Sequence, residues 1–400
     1  MSSLTHIFHQ PRSVKAITFA CVVSYMGVGL VDPILPEIAA SLNATPGQTE
    51  LLFTTYLFTT AVMMFFSSWI SSRIGAKRTL LAGLGLVVAF ALACSLAGSV
   101  NHIIGFRAGW GVGNALFVST ALAAIVGASA DTRSAVVLYE AALGLGMAVG
   151  PLAGGTLGNI SWRGPFAGTA VLMLIGLIGV LVSVAPTPPT RAHVDVMAPF
   201  RALRRRDFLP VLSSSFFYNY GYFTILAFAP FPIAAAAAAH GHTFTPLHLG
   251  LIFFVWGLFL AIASVVLAPR LSQWLGVTRA LLVTLGLLAV DEVVFFVATN
   301  TVWIVVVATL ISGLLLGVAN TVMTEASMEA TDLPRQVASS SYSGVRFFGA
   351  ALAPAMTGPL SELGGLGLPF AVGAVTMLIA MGCLLLNRPH RTGVSASTAS

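Results

Sequence analysis

The chain has 400 residues, 57% of them apolar and only 8% charged, with a net charge of +6 at pH 7 and a mean hydropathy of +0.93. A soluble domain carries about 25% charged residues, so this composition cannot clothe a water-exposed surface and excludes a soluble globule. What remains is a chain whose solvent is lipid.

Crossing a bilayer as a helix takes roughly 20 mostly apolar residues. Twelve such stretches follow one another, near 14–36, 49–71, 79–99, 102–126, 134–158, 165–185, 210–235, 247–269, 279–299, 301–325, 337–359 and 367–387. The first has no small-residue cleavage site behind it and leads straight into further spans, so it is expected to be a retained helix. Against these spans, sixteen of the nineteen Lys and Arg fall on one side, one (Arg163) falls on the other, and Arg107 and Arg346 lie within spans. Basic loops stay cytoplasmic during insertion, so the chain is expected to be a multi-pass protein of the cell (inner) membrane with both termini cytoplasmic. The positive charge is thus a topology signal, with attraction to membrane lipid as a secondary effect, and nucleic acid is not an expected partner.

The chain repeats itself. Tyr139, Gly146 and Pro151 recur as Tyr342, Gly349 and Pro354, each shifted by 203 positions. The turn Gly75 to Arg78 with Leu80, Leu81 and Gly85 recurs as Gly276 to Arg279 with Leu281, Leu282 and Gly286, shifted by 201. The expected architecture is an all-α membrane protein of two six-helix bundles, over 1–186 and 208–388, related by a pseudo-two-fold axis. Residues 187–207 form a cytoplasmic linker and 389–400 a cytoplasmic tail. Pro186, Pro188 and Pro189 favour an extended linker, while Phe200 and Leu203 beside Arg204, Arg205 and Arg206 allow a short amphipathic helix at the membrane surface. No metal or cofactor is expected: His240, His242 and His248 cluster near an outer loop without Cys or carboxylate companions.

An ionisable side chain in the bilayer core costs several kcal/mol, so those retained there are functional candidates. They are Asp32, Arg107, Glu140, Asp291, Glu292, Glu325 and Arg346. Asp32 and Arg107 lie at matching depth near the outer ends of spans one and four, where they could pair. A carboxylate that has an arginine partner in one state and loses it in another changes its proton affinity, although a static ion pair joining two helices would look the same. Glu140 could bind a proton or a cationic substrate, or hydrogen-bond a neighbouring helix. Arg346 is too deep to reach water and needs a partner, either a carboxylate or an anionic part of a substrate. Asp291 and Glu292 are adjacent, so they face different directions, and one could snorkel outward.

Three segments carry a resemblance. Span five reads Gly146-Met-Ala-Val-Gly150-Pro151-Leu-Ala-Gly154-Gly155. Span four contains Arg107-Ala-Gly-Trp110-Gly111-Val-Gly113-Asn-Ala115. The turn after span two is Ser68-Trp-Ile-Ser-Ser72-Arg73-Ile-Gly75-Ala76-Lys77-Arg78. Together they resemble the major facilitator superfamily, and more narrowly its twelve-span drug/proton antiporter family, with motifs GxxxGPxxGG, RxxqGxgaa and GxxxDRxGRR/K respectively. Trp110 stands where the family has glutamine, Ser68 where it has glycine, and Ser72 where it has an acidic residue.

The resemblance implies alternating access by a monomer, coupled to protons, with export of small organic compounds such as drugs. Asp32, Arg107 and Glu140 are the expected proton-coupling residues. Arg73, Gly75, Lys77, Gly146, Gly150, Pro151, Gly154 and Gly155 form the conformational motifs. Tyr25, Asn114, Tyr218, Asn219, Tyr222, Trp256, Asn320 and Arg346 are candidate substrate contacts, since aromatic faces suit flat or cationic compounds and amides can hydrogen-bond; each could equally serve helix packing. Exporters or facilitators of metabolites, sugars or siderophores would share this fold. No GxxxxGK[ST] segment occurs, so the chain is not expected to be an enzyme that hydrolyses ATP.

Overall fold

A computed structural model describes residues 11–31, 34, 38, 41–44, 46–129, 132–186, 195–241 and 246–386. Among them there is no strand. Twelve long helices follow in chain order: α1 (Arg12–Gly29), α2 (Pro46–Ile74), α3 (Ala76–Ser95), α4 (Val100–Ala128), α5 (Thr132–Gly158), α6 (Gly164–Ser183), α7 (Leu209–Phe228, continuing as Pro230–Ala239), α8 (Pro246–Ile262, continuing through a π turn Ala263–Leu267 into Ala268–Leu275), α9 (Val277–Ala298), α10 (Val302–Glu329), α11 (Arg335–Gly364) and α12 (Leu368–Leu385).

Local chemistry sets the breaks. Pro165, Pro210 and Pro369 sit in the first turn of their helices, where a missing N–H costs nothing. Pro230 interrupts α7 for the same lack of a donor. In α8 the π turn falls just ahead of Pro269, which cannot bond back to the preceding turn. Gly75 (φ 88°) and Gly276 (φ 79°) open α3 and α9 from the left-handed region, so the repeat read in the sequence is also a repeat of backbone conformation.

Ten of the helices among the described residues are long and apolar enough to cross a membrane by length and composition. The exceptions are α1, which opens with Arg12 and Lys15, and α11, whose Ser339, Ser340, Ser341, Ser343 and Arg346 are all buried. Burial against protein explains α11: these five side chains are shielded from lipid.

The halves pack alike. In the first, α1 lies against α5 and α6, α2 and α3 against α4, and α3 against α6. In the second, α7 lies against α11 and α12, α8 and α9 against α10, and α9 against α12. Between the bundles the main seams are α5 with α8 and α2 with α11, which exchange under the same six-helix shift. A β-carbon at Gly257 of α8 would meet the Ala148 backbone at 2.5 Å, which shows how closely the first seam is drawn.

The linker holds a helical turn at Ala198–Ala202. It docks on protein: Phe200 stacks on Phe65 of α2 at 5.1 Å between ring centroids, and Ser341 of α11 donates to the Pro199 carbonyl at 3.3 Å. Arg205 binds both oxygens of Asp207 at 3.0 and 2.9 Å. Burial raises the Asp207 pKa, but these bonds outweigh it and leave the group below the usual carboxylate range.

Candidate functional site

The centre of the interface is polar and nearly closed. Tyr25 and Val28 of α1, Leu143 and Met147 of α5, Asn219, Tyr222 and Phe223 of α7, and Arg346, Phe347 and Ala350 of α11 surround a cavity of about 10 Å³. A single water needs roughly that much, so the site has no room for cargo in this conformation. A separate cleft of about 560 Å³ opens among α1, α3, α4 and the start of α11, at the face that carries the basic turns.

At this centre Glu140 of α5 and Arg346 of α11 form an ion pair between the two bundles, Nη1 to Oε1 at 3.3 Å, with side-chain exposures of 0% and 5%. Glu140 is eight residues from the start of α5 and Arg346 eleven from the start of α11. At 1.5 Å per residue they lie about 12 and 17 Å from that face, too deep for either to reach water. Thr324 of α10 donates to Glu140 Oε1 at 2.7 Å. The single hydroxyl proton of Thr324 is committed there, so Tyr342, 3.0 Å away, is the donor in their contact. Arg346 Nε donates to Asn219 Oδ1 at 3.2 Å, and Asn219 in turn donates to the Ser215 carbonyl at 2.9 Å. Glu140 Oε2 is buried and has no hydrogen-bond partner among the described residues. One carboxylate oxygen is therefore fully engaged and the other is open.

Of the predicted substrate contacts, Tyr25, Asn219, Tyr222 and Arg346 line the central cavity. Tyr25 is hydrogen-bonded to Tyr139, the residue before Glu140. Tyr218, Tyr222 and Trp256 form a stacked column between α7 and α8, with centroid spacings of 6.2 and 6.1 Å. Trp256 Nε1 donates to Ser312 at 3.0 Å, and the Tyr218 hydroxyl donates to the Leu316 carbonyl at 3.4 Å. Asn320 is fully buried on α10. Asn114 lies apart from the cavity lining, where Ser24 of α1 donates to its Oδ1 and ties α4 to α1. Thr324 and Tyr342 were not singled out from sequence as site residues. The signal was there for Thr324, which follows Asn320 by four positions and so shares its helix face.

Arg107 is fully buried in the first bundle. Its Nε donates to the Leu52 carbonyl of α2 at 3.3 Å and its Nη1 to the Gly27 carbonyl of α1 at 3.4 Å. Its guanidinium lies 4.3 Å from the Tyr56 ring centroid and 4.9 Å from that of Trp110. Trp110, in the family's glutamine position, thus supplies a cation–π face in place of an amide. Asp32 lies outside the described residues. Arg107→Lys keeps the charge but loses the planar stacking, and is expected to lower stability by about 1–2 kcal/mol, read as a lower thermal unfolding midpoint in detergent.

The motif glycines of α5 pack against α1. A β-carbon at Gly150 would lie 2.7 Å from the Met26 carbonyl oxygen, and one at Gly146 would be 2.8 Å from Tyr25 Cβ; Gly154 abuts the Leu30 backbone, and Pro151 touches the Gly29 position. Gly155 has no such neighbour within 4 Å. In the turn after α2, Arg73 lies over Trp69 at 5.3 Å and Lys77 donates to the Leu181 carbonyl at the end of α6 at 2.8 Å. Ser72, in the acidic position, turns its hydroxyl back to the Trp69 carbonyl. Across the seam a neutral contact joins the bundles instead, Gln336 of α11 to Ser71 at 3.5 Å.

Asp291 and Glu292 are both buried, at 6% and 0% exposure, so neither snorkels outward. Glu292 packs between α7 and α12, where a β-carbon at Gly373 would fall 2.6 Å from its carboxyl, well away from the central pair.

Among the described residues twelve helices in two matched bundles close on a buried polar centre, an arrangement suited to a membrane transporter. Residues 17–332 match the family model of the Major Facilitator Superfamily. The chain is 46% identical over 393 residues to the multidrug efflux protein YfmO of Bacillus subtilis (strain 168), covering 98% of this chain and 97% of that protein. The crystal structure of the human organic anion transporter MFSD10 (TETRAN) has the same fold, with a TM-score of 0.80 at 14% identity, over 93% of this chain and 99% of that one. The chain belongs to the major facilitator superfamily. It is a multi-pass membrane protein that binds small-molecule substrates.

Proposed function

We propose that the chain is a proton-coupled antiporter, working as a monomer in the cell (inner) membrane with both termini cytoplasmic, that exports small organic compounds, drugs among them, by alternating access. The observation that carries this reading is the ion pair between Glu140 and Arg346, buried where the two bundles meet. While it is formed, the bundles are tied across a closed cavity. A proton arriving at the open Oε2 neutralises Glu140, removes the charge that holds Arg346, and loosens the tie. A cationic compound in an opened cavity can take Arg346's place beside the carboxylate, so proton and cargo compete for one group. The column of Tyr218, Tyr222 and Trp256 offers aromatic faces to such cargo. Asp32, near the outer end of the first span, would act as a second acid beside Arg107. The efflux name of the Bacillus subtilis relative agrees with the direction of transport.

The test uses purified protein in liposomes with an imposed pH gradient and ethidium as the probe. Uphill ethidium movement is expected only while the gradient lasts, and Asp32→Asn should slow it by at least about tenfold, or 1.4 kcal/mol of lost coupling. Equal flux with and without the gradient would identify a facilitator instead.

A further inference from the structure

We propose that a groove on the lipid-facing side of α8, α9 and α10 is a binding site for one anionic phospholipid of the leaflet next to the basic turns. The groove has a volume of about 470 Å³ and is walled by Leu267, Leu271, Leu287 and Leu315, with Arg270 and Trp274 at its mouth. That volume lies within the roughly 300–1,000 Å³ of small-molecule sites.

Its dimensions and polarity select a lipid. On α8 Leu267 lies eight residues from the helix end at Leu275, and on α9 Leu287 lies ten from the start at Val277, so the groove reaches about 12–15 Å inward, one leaflet of a hydrocarbon core about 30 Å thick. Trp274 is 81% exposed at the end of α8, the level at which indole rings settle among headgroups. The π turn Ala263–Leu267 ends at the groove wall, with Leu267 41% exposed.

The internal repeat isolates the role of Arg270. Shifted by 201 positions, Arg270 and Trp274 correspond to Trp69 and Arg73, the same two residue types in reversed order. In the first bundle Arg73 covers the Trp69 ring at 5.3 Å. Among the described residues Arg270 is exposed and makes no ion pair or ring contact. An uncompensated guanidinium above an apolar channel one leaflet deep matches a phosphate above an acyl chain.

Native mass spectrometry of the full chain, extracted from vesicles of equal phosphatidylglycerol and phosphatidylcholine, tests this. The chain should retain one phosphatidylglycerol in preference to phosphatidylcholine. Arg270→Gln should cut that preference by about fivefold, and Leu315→Trp, which fills the channel, should reduce retention of both lipids. Arg279→Gln, an exposed basic change on α9 outside the groove, should leave the preference intact. Equal retention of the two lipids by the unaltered chain, or equal losses in Arg270→Gln and Arg279→Gln, would overturn the site. A thermal unfolding midpoint measured for each variant separates lost lipid from lost fold.

Discussion

Glu140→Gln is expected to abolish gradient-driven efflux, at least about a hundredfold, while the chain still inserts. Removing one member of a buried ion pair leaves the other charge uncompensated, at a cost of about 3–5 kcal/mol. Among the described residues Arg346 would be left with neutral neighbours, the Asn219 amide and Tyr342, whose ring centroid is 5.9 Å away. The single variant should therefore also show a lowered unfolding midpoint. Adding Arg346→Gln removes the orphaned charge and should recover much of the stability without recovering transport. That split distinguishes a switch from a strut, because a purely structural pair would regain both. The measurements are ethidium transport in liposomes and thermal unfolding of the two single variants and the double.

Gly150→Leu should have the next largest effect. Its β-carbon would fall 2.7 Å from the Met26 carbonyl and 3.3 Å from the Gly29 backbone, and backbone atoms cannot step aside as a side chain can. The α1–α5 contact must open, at a cost of about 3 kcal/mol or more, and Tyr25 on α1 moves with it away from Tyr139. Transport should be lost together with stability. Gly155→Ala provides the contrast within the same motif: with open space beside Gly155, its stability should stay within about 0.5 kcal/mol. Unfolding midpoints and transport of the two variants check both statements.

The contrast between Gly150 and Gly155 also marks how far the sequence could be read. The twelve spans were legible because lipid-facing surface forces long apolar runs, and ten of the described helices meet that measure of length and apolarity. The eleventh was read as an apolar stretch over 337–359, and it tolerates Ser339, Ser340, Ser341, Ser343 and Arg346 because they are buried against protein. Glu140 and Arg346 were each recognisable as costly in lipid, and Arg346 as needing a partner. Their pairing was not legible, because they are 206 positions apart on different bundles and no spacing rule links them. Asn114 looked like a cavity amide, yet the Ser24 hydroxyl one helix away claims it. The motif glycines stood together in one segment, but which of them meet backbone depends on how α1 crosses α5. The pairing of Arg107 with the faces of Tyr56 and Trp110 likewise needed three dimensions, since Tyr56 comes from α2.

The central claim is that the charge on Glu140 holds the two bundles in one arrangement. Spin labels at Arg78→Cys and Arg279→Cys, repeat-related positions exposed at the starts of α3 and α9, report the separation of the bundles without needing a substrate. In an otherwise cysteine-free chain, the distance distribution measured by pulsed electron paramagnetic resonance should shift between alkaline and acidic pH. In Glu140→Gln it should stay at the acidic distribution at every pH. A Glu140→Gln chain that moved with pH as the unaltered one does would show that the bundles take their cue from some other group.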